Sequence, residues 1–165
     1  MKSEVLFKMR EIKLFLFDLE GVLLNGNMSL EKCFDSISKT NNSFNQLGVK
    51  FGIVTARSED DLIIKLKTID NCIVLAGSLA KVNMTDAYLY SHSIDYRNVF
   101  YMGDDLLDLP LLQKCGLSCA PKSARREVKR AVSFIASGDN CESMLNEIFN
   151  YIKKFKEPVS RATKH

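Results

Sequence analysis

The residues able to do chemistry in this chain are acids that interrupt apolar runs. In LFLFDLEGVLLNG, Leu14 to Gly26, the apolar run stops at Asp18, Glu20 follows two residues later, and Gly21 comes next. Far downstream, GDDLLD places Asp104, Asp105 and Asp108 directly after NVFYM, while Thr55 ends KFGIVT and Lys81 follows CIVLA. Carboxylates gathered in one place repel one another, and some take up protons unless a cation offsets them. Oxygen ligands without histidine suit a hard ion, with Mg2+ first in line because it accepts one or two carboxylates together with waters and phosphate oxygens. A carboxylate that faces both such an ion and a phosphoryl group can act as a nucleophile. The transferring group then needs positive charge and donors around its equatorial oxygens, which Lys81, the Thr55 hydroxyl and the N–H groups near Gly21 can supply.

Taken singly, these residues have plainer readings. An aspartate after a strand is a common turn former, and GDDLLD suits a helix N-cap with first-turn acids that complement the helix dipole. Thr55 could be a cap, and Lys81 a solvated helix residue. The chemical reading therefore depends on the elements that would bring the four stretches together.

Six short apolar runs have strand length: Ile12–Phe17, Lys50–Thr55, Cys72–Ala76, Asn98–Gly103, Gly116–Ala120 and Ser133–Ala136. Several are apolar on both faces, as covered parallel strands are. Helical patterns lie between them. Ser29 caps a helix reaching about Gln46, Ser58 with Glu59, Asp60 and Asp61 starts a second, and Ser78 caps the stretch holding Lys81. Asp104 or Asp105 opens LLDLPLLQKCG, and ARREVKRA and CESMLNEIFNYIKKF complete the set. The alternation predicts an α/β fold, a doubly wound, Rossmann-like parallel sheet with helices on both faces. It forms a single domain over 1–155, followed by a flexible C-terminal tail at 156–165. In such a sheet ligands bind outside the carboxyl ends of the strands, where all the chemical residues stand.

Composition narrows the function classes. The chain has 165 residues, 46% of them hydrophobic, and a formal charge of +3, which suits one domain with a full core. Its basic clusters, KSARREVKR and KKFKEPVSRATKH, do not alternate with aromatics, so they read as a solvated helix face and a loose tail, with no nucleic-acid partner expected. Five scattered cysteines without CxxC spacing point to reduced thiols, with neither a disulfide framework nor a zinc site. No apolar run reaches membrane-spanning length and no secretory signal is visible, which predicts a cytoplasmic protein without membrane contact.

With those residues in place, the sequence resembles the haloacid dehalogenase-like phosphohydrolase superfamily, whose four motifs appear in order as FDLEG, IVTAR, the lysine of GSLAK, and GDDLLDLP. It is most similar to the small cap-less branch containing 3-deoxy-D-manno-octulosonate 8-phosphate phosphatase, through DLEGVLLNG, VFYMGDDLLDLPLL and GLSCAP. The resemblance implies a Mg2+-dependent phosphomonoester hydrolase that acts through an aspartyl-phosphate on a small phosphorylated metabolite, with a sugar-acid phosphate as the leading substrate. It implies Asp18 as nucleophile and metal ligand, and Glu20 as general acid/base with its backbone carbonyl on the metal. Thr55 and Lys81 would hold the phosphoryl group. Asp104 and Asp105 would serve the metal, and Gly21, Arg57 and Asp108 would stand on the substrate side, Asp108 behind the ligands and Arg57 equally suited to a surface salt bridge.

Two departures stand out. Glu20 occupies the place of an aspartate, and its extra methylene moves the carboxyl by roughly 1.3 Å, where about 1 Å of misplacement costs on the order of 100-fold in rate. Between Gly26 and Val49, relatives carry a β-hairpin flap and then a segment that helps to form a tetramer and the substrate pocket. Here the chain is shorter, lacks that segment and reads as one helix, so a homo-oligomer is possible but poorly supported. These departures favour an alternative, a weakened or inactive phosphatase-like domain kept for assembly or regulation. Retention of Asp18, Thr55, Lys81 and Asp104 opposes it, since a domain freed from catalysis has no structural need for mutually repelling acids.

Overall fold

The computed structural model describes residues 2–25 and 27–156. At its centre β1 (Leu14–Asp18) lies between β2 (Lys50–Thr55) and β4 (Val99–Met102). Outside them come β3 (Cys72–Ala76), β5 (Leu117–Ala120) and β6 (Phe134–Ile135). All pairings are parallel, and the order is β3-β2-β1-β4-β5-β6. All six runs read from sequence are strands, and β2 and β3 have the expected bounds.

The helices are α1 (Ser3–Met9), α2 (Leu30–Gln46), α3 (Asp61–Leu66), α4 (Lys81–His92), α5 (Leu109–Lys114), α6 (Arg126–Ala131) and α7 (Cys141–Lys153). The chain winds outward from β1 to β3 with α2 and α3 on one face, then crosses back to β4 and continues to β6 with α4, α5 and α6 on the other. That arrangement follows from right-handed crossovers. It puts the reversal of strand order between β1 and β4, the place where open α/β sheets bind ligands.

Because side chains alternate along a strand, β1 serves two cores. Phe15 and Phe17 join Phe44, Phe51, Phe100 and residues of α1, α2 and α7, while Leu14 and Leu16 join Val54, Tyr101, Leu111 and Val128. Phe44 is the hub of the first core. Its ring lies 5.2 Å from Phe15, 5.4 Å from Phe51 and 5.9 Å from Phe149, tying α2 to β1, β2 and α7.

Several local expectations are corrected. Ser29 does cap α2, but α3 is capped by Asp60, whose side chain accepts the Ile63 N–H, and Ser58 stays in the preceding loop. Ser78 accepts the Ala80 N–H in a turn, and α4 starts at Lys81 after Ala80. Asp105 caps a 3-10 turn, Leu106–Asp108, before α5 begins. The sequence reading missed α1, which is only 7 residues long, with buried Val5 and Met9 as its sole apolar anchors and no side-chain cap to announce it. Lys156 donates from Nζ to the Ile12 carbonyl, and the rest of the expected tail lies outside the described residues.

Phe44→Ala should lower stability by about 3–5 kcal/mol through the cavity left among these rings. Urea unfolding checks this, with the midpoint falling and the slope unchanged.

Candidate active site

Asp18 continues the alternation of Leu14 and Leu16, so its side chain turns to the face covered by α4 and α5. On the neighbouring strand Tyr101 pairs with Leu16 and lies on that same face. Lys81, the first residue of α4, is buried there at 6% exposure. Its ammonium donates to Asp18 Oδ1 at 2.8 Å, to Asp108 Oδ1 at 2.6 Å and to the Tyr101 hydroxyl at 3.4 Å. Three donors thus meet three acceptors.

Asp108 is fully buried, and both its oxygens are committed. Oδ1 accepts from Lys81 and the Tyr101 hydroxyl, and Oδ2 accepts the N–H groups of Asp104 and Asp105 at 3.0 and 3.2 Å. With its lone pairs taken up in this way, the Asp108 carboxylate stands behind the site and fixes the loop that carries Asp104. Asp18 is different. Its Oδ1 accepts from Lys81 and from the Leu19 N–H at 2.8 Å, whereas among the described residues Oδ2 accepts no hydrogen bond.

Carboxylate oxygens of Asp18, Asp104 and Asp108 lie within 4.8 Å of one another. One ammonium serves them. Burial pushes the Asp18 carboxyl up, repulsion from Asp108 adds to this, and Lys81 offsets only part of it, so its pKa rises to about 8. Burial and the neighbouring Asp108 and Asp105 raise Asp104 too, against a hydrogen bond from Asp18. In Asp108 burial is outweighed by Lys81 and Tyr101, and the pKa falls. Burial would lower Lys81, but Asp18 and Asp108 more than restore it. The ammonium is in effect spent on Asp108, the better-donated acid, and Asp18 and Asp104 are left to take up a proton unless a cation offsets them. That need, on hard oxygens with no histidine nearby, fits a divalent cation such as Mg2+. Asp18 and Asp104 are the side chains free to hold it.

Two glycines permit this crowding. Gly21 has φ +79°, and a Cβ there would stand 1.8 Å from Asp104 Oδ2. At Gly103 a Cβ would meet that of Asp108 at 2.6 Å.

Above the buried network opens a hollow of about 560 Å³ lined by Asp18, Glu20, Gly21, Thr55, Arg57, Lys81, Asp104, Asp105 and Asp108, together with Ala56, Ser58 and Leu107. The structure thus brings every sequence-selected site residue to one place. Thr55 is buried, and its hydroxyl accepts the Arg57 N–H at 3.1 Å, leaving its own proton to donate. Glu20 and Arg57 form the rim, with Nη1 to Oε1 at 2.6 Å, and Arg57 Nε also bonds Asp60 Oδ2 at 2.6 Å. Of the two readings of Arg57, the structure therefore shows the ion pair. Asp105 has a partner of its own. Its carboxylate takes the Leu106 N–H at 2.6 Å and Arg125 Nε at 3.0 Å, capping a turn at the rim and standing apart from the three clustered acids.

Sequence reasoning missed three contributors. Tyr101 could have been suspected, since a tyrosine inside an apolar buried strand needs a partner for its hydroxyl. Asp60 was visible only as a first-turn acid, and nothing local marks Arg125 as the partner of Asp105.

Comparison with known proteins bears on the family and the fold. A family model described as haloacid dehalogenase-like hydrolase matches residues 67–148. The chain is 26% identical over 153 residues to the 3-deoxy-D-manno-octulosonate 8-phosphate phosphatase KdsC of Haemophilus influenzae, covering 88% of this chain and 84% of the relative. It is 30% identical over 131 residues to the Salmonella typhi protein of that name, covering 74% and 69%. In fold it matches the crystal structure of the Moraxella catarrhalis phosphatase of the same name, a complex with magnesium ion, phosphate ion and a KDO molecule, at TM-score 0.81 and 20% identity over 94% of each chain.

Two outcomes follow from the site's construction. Between pH 4 and 8 the folded, metal-free protein holds a proton on Asp18 that the unfolded chain does not, so this residue's contribution to stability is lost as pH rises through that window. Asp18→Asn should therefore raise Tm by at least about 3 °C at pH 8 and by far less at pH 4, measured calorimetrically in chelator. Gly21→Ala should displace Asp104 and weaken Mg2+ binding at least about tenfold by titration calorimetry, with circular dichroism unchanged.

Proposed function

We propose that this chain, which belongs to the haloacid dehalogenase-like hydrolase family, is a Mg2+-dependent phosphomonoesterase that works through an aspartyl-phosphate. Its substrate is a sugar-acid phosphate, with 3-deoxy-D-manno-octulosonate 8-phosphate the foremost candidate from the names of its relatives. The observation that carries the reading is the asymmetric carboxylate of Asp18, with one oxygen tied to Lys81 and the Leu19 N–H and the other accepting no hydrogen bond among the described residues, at the strand-order reversal.

The residues divide the work. Asp18 Oδ2 attacks phosphorus in line as the bond to the leaving oxygen breaks, and Lys81 holds the opposite oxygen so that the nucleophile cannot rotate away. Glu20, in its protonated form, gives its proton to the leaving oxygen, then takes one from the water that attacks the phosphoryl-aspartate, returning Asp18 and itself to their first states. The Thr55 O–H and the N–H groups around Gly21 are placed to meet the equatorial oxygens. Asp18 and Asp104 would hold Mg2+, with the Glu20 carbonyl as a further ligand, and the ion when bound offsets negative charge on the phosphoryl group. Asp108 and Tyr101 keep Lys81 charged and aimed.

Phosphate release from a panel of sugar and sugar-acid phosphates tests the reading. Turnover should need Mg2+, be greatest on a sugar-acid phosphate, and fall at least about a thousand-fold in Asp18→Asn. A wild-type rate no greater than that of Asp18→Asn on every substrate would end it.

A further inference from the structure

We propose that Arg57 is a positioning residue, held at one end by Asp60 so that its other end sets where the Glu20 carboxylate stands. What Glu20 then does rests on the phosphomonoesterase reading; where it is held does not.

The Glu20 side chain is 58% exposed, and among the described residues Arg57 Nη1, at 2.6 Å, is its one hydrogen-bond donor. An exposed glutamate with three rotatable bonds has no fixed position of its own. Arg57 does have one. Its backbone N–H is bound to Thr55 Oγ1 at 3.1 Å, and its Nε to Asp60 Oδ2 at 2.6 Å. Asp60 is anchored in turn, because its Oδ1 accepts the Ile63 N–H at 3.0 Å as the cap of α3. Position is thus handed from the start of a helix through a planar guanidinium to a carboxylate at the mouth of the hollow. A guanidinium suits this because its donors form a rigid planar fork, so that Nε and Nη1 can each hold a different acid, whereas the donors of a lysine ammonium all leave one atom.

The length of Glu20 matches this device. With Arg57 tethered from behind, an aspartate at the same backbone position would end roughly 1.3 Å short, beyond hydrogen-bond reach of Nη1. Glutamate at this position is therefore paired with the Arg57–Asp60 tether, and the two form one unit. Exposed ion pairs add little to stability, so the value of this one lies in placement.

Two measurements decide the matter. In nitrogen-15 NMR of the wild-type protein the Arg57 guanidinium should show hindered rotation that is lost in Glu20→Ala; free rotation in both would overturn the tether whatever the turnover. In phosphate release from 3-deoxy-D-manno-octulosonate 8-phosphate and from p-nitrophenyl phosphate, Arg57→Ala should lower kcat by about 10- to 100-fold with KM changed less than about threefold. Arg57→Lys should recover only a small part of that loss. In a Glu20→Ala background the same Arg57→Ala change should have no effect beyond about twofold, because the two residues act as one. Losses that multiply, together with a raised KM, would make Arg57 a direct substrate contact and sink the proposal. A silent wild type would remove the phosphatase reading, while the NMR comparison would still judge the tether.

Discussion

One ammonium shared between two buried carboxylates organises this protein. Lys81 touches Asp18 and Asp108 at 2.8 and 2.6 Å in a pocket where its own side chain is 6% exposed. Burying such charges is costly, and the cost is met only when every lone pair and proton finds a partner. Asp108 achieves this with donors from Lys81, Tyr101 and two backbone amides. Asp18 does not, and its incomplete satisfaction leaves an oxygen for the nucleophilic role proposed for it. The network therefore has a structural half and a chemical half, joined at one nitrogen.

That division constrains the fold around it. The loop after β4 must fold back so that the amides of Asp104 and Asp105 reach Asp108, which requires glycine at 103. The loop after β1 must pass close to Asp104, which requires glycine at 21. Strand alternation must deliver Asp18 and Tyr101 to the same face, and α4 must begin at Lys81. The aromatic core on the opposite face, centred on Phe44, holds β1 and β2 rigid beneath these demands.

Electrostatics change character between the floor and the rim of the hollow. Inside, burial sets the acidities, raising Asp18 and Asp104. At the rim the second acids of the two acidic motifs, Glu20 and Asp105, are each paired with an arginine from another loop, Arg57 and Arg125. These outer pairs are solvated and weak as sources of stability. Their effect is to hold the rim carboxylates in place, although Asp105 still adds its repulsion to Asp104.

Much of this was legible in the sequence because strand alternation and apolar run length report burial directly. The six strands, the two-faced winding, and the meeting of Asp18, Thr55, Lys81 and Asp104 follow from local pattern plus one rule about strand ends. Helix starts were less legible, since Ser58 and Asp60 are both good caps and only packing chose Asp60. The sequence by itself determined which residue types would crowd the carboxyl ends of the sheet, and hence that a cation and a phosphoryl group suit them. Only the tertiary structure decided how the carboxylates divide the available donors. It spent Asp108 on Lys81 and Tyr101, turned Asp105 toward Arg125, and tied Glu20 to Arg57. The reason is physical. Hydrogen-bond satisfaction of a buried group is a property of all its neighbours at once, and those neighbours come from strands, loops and helices far apart in the chain.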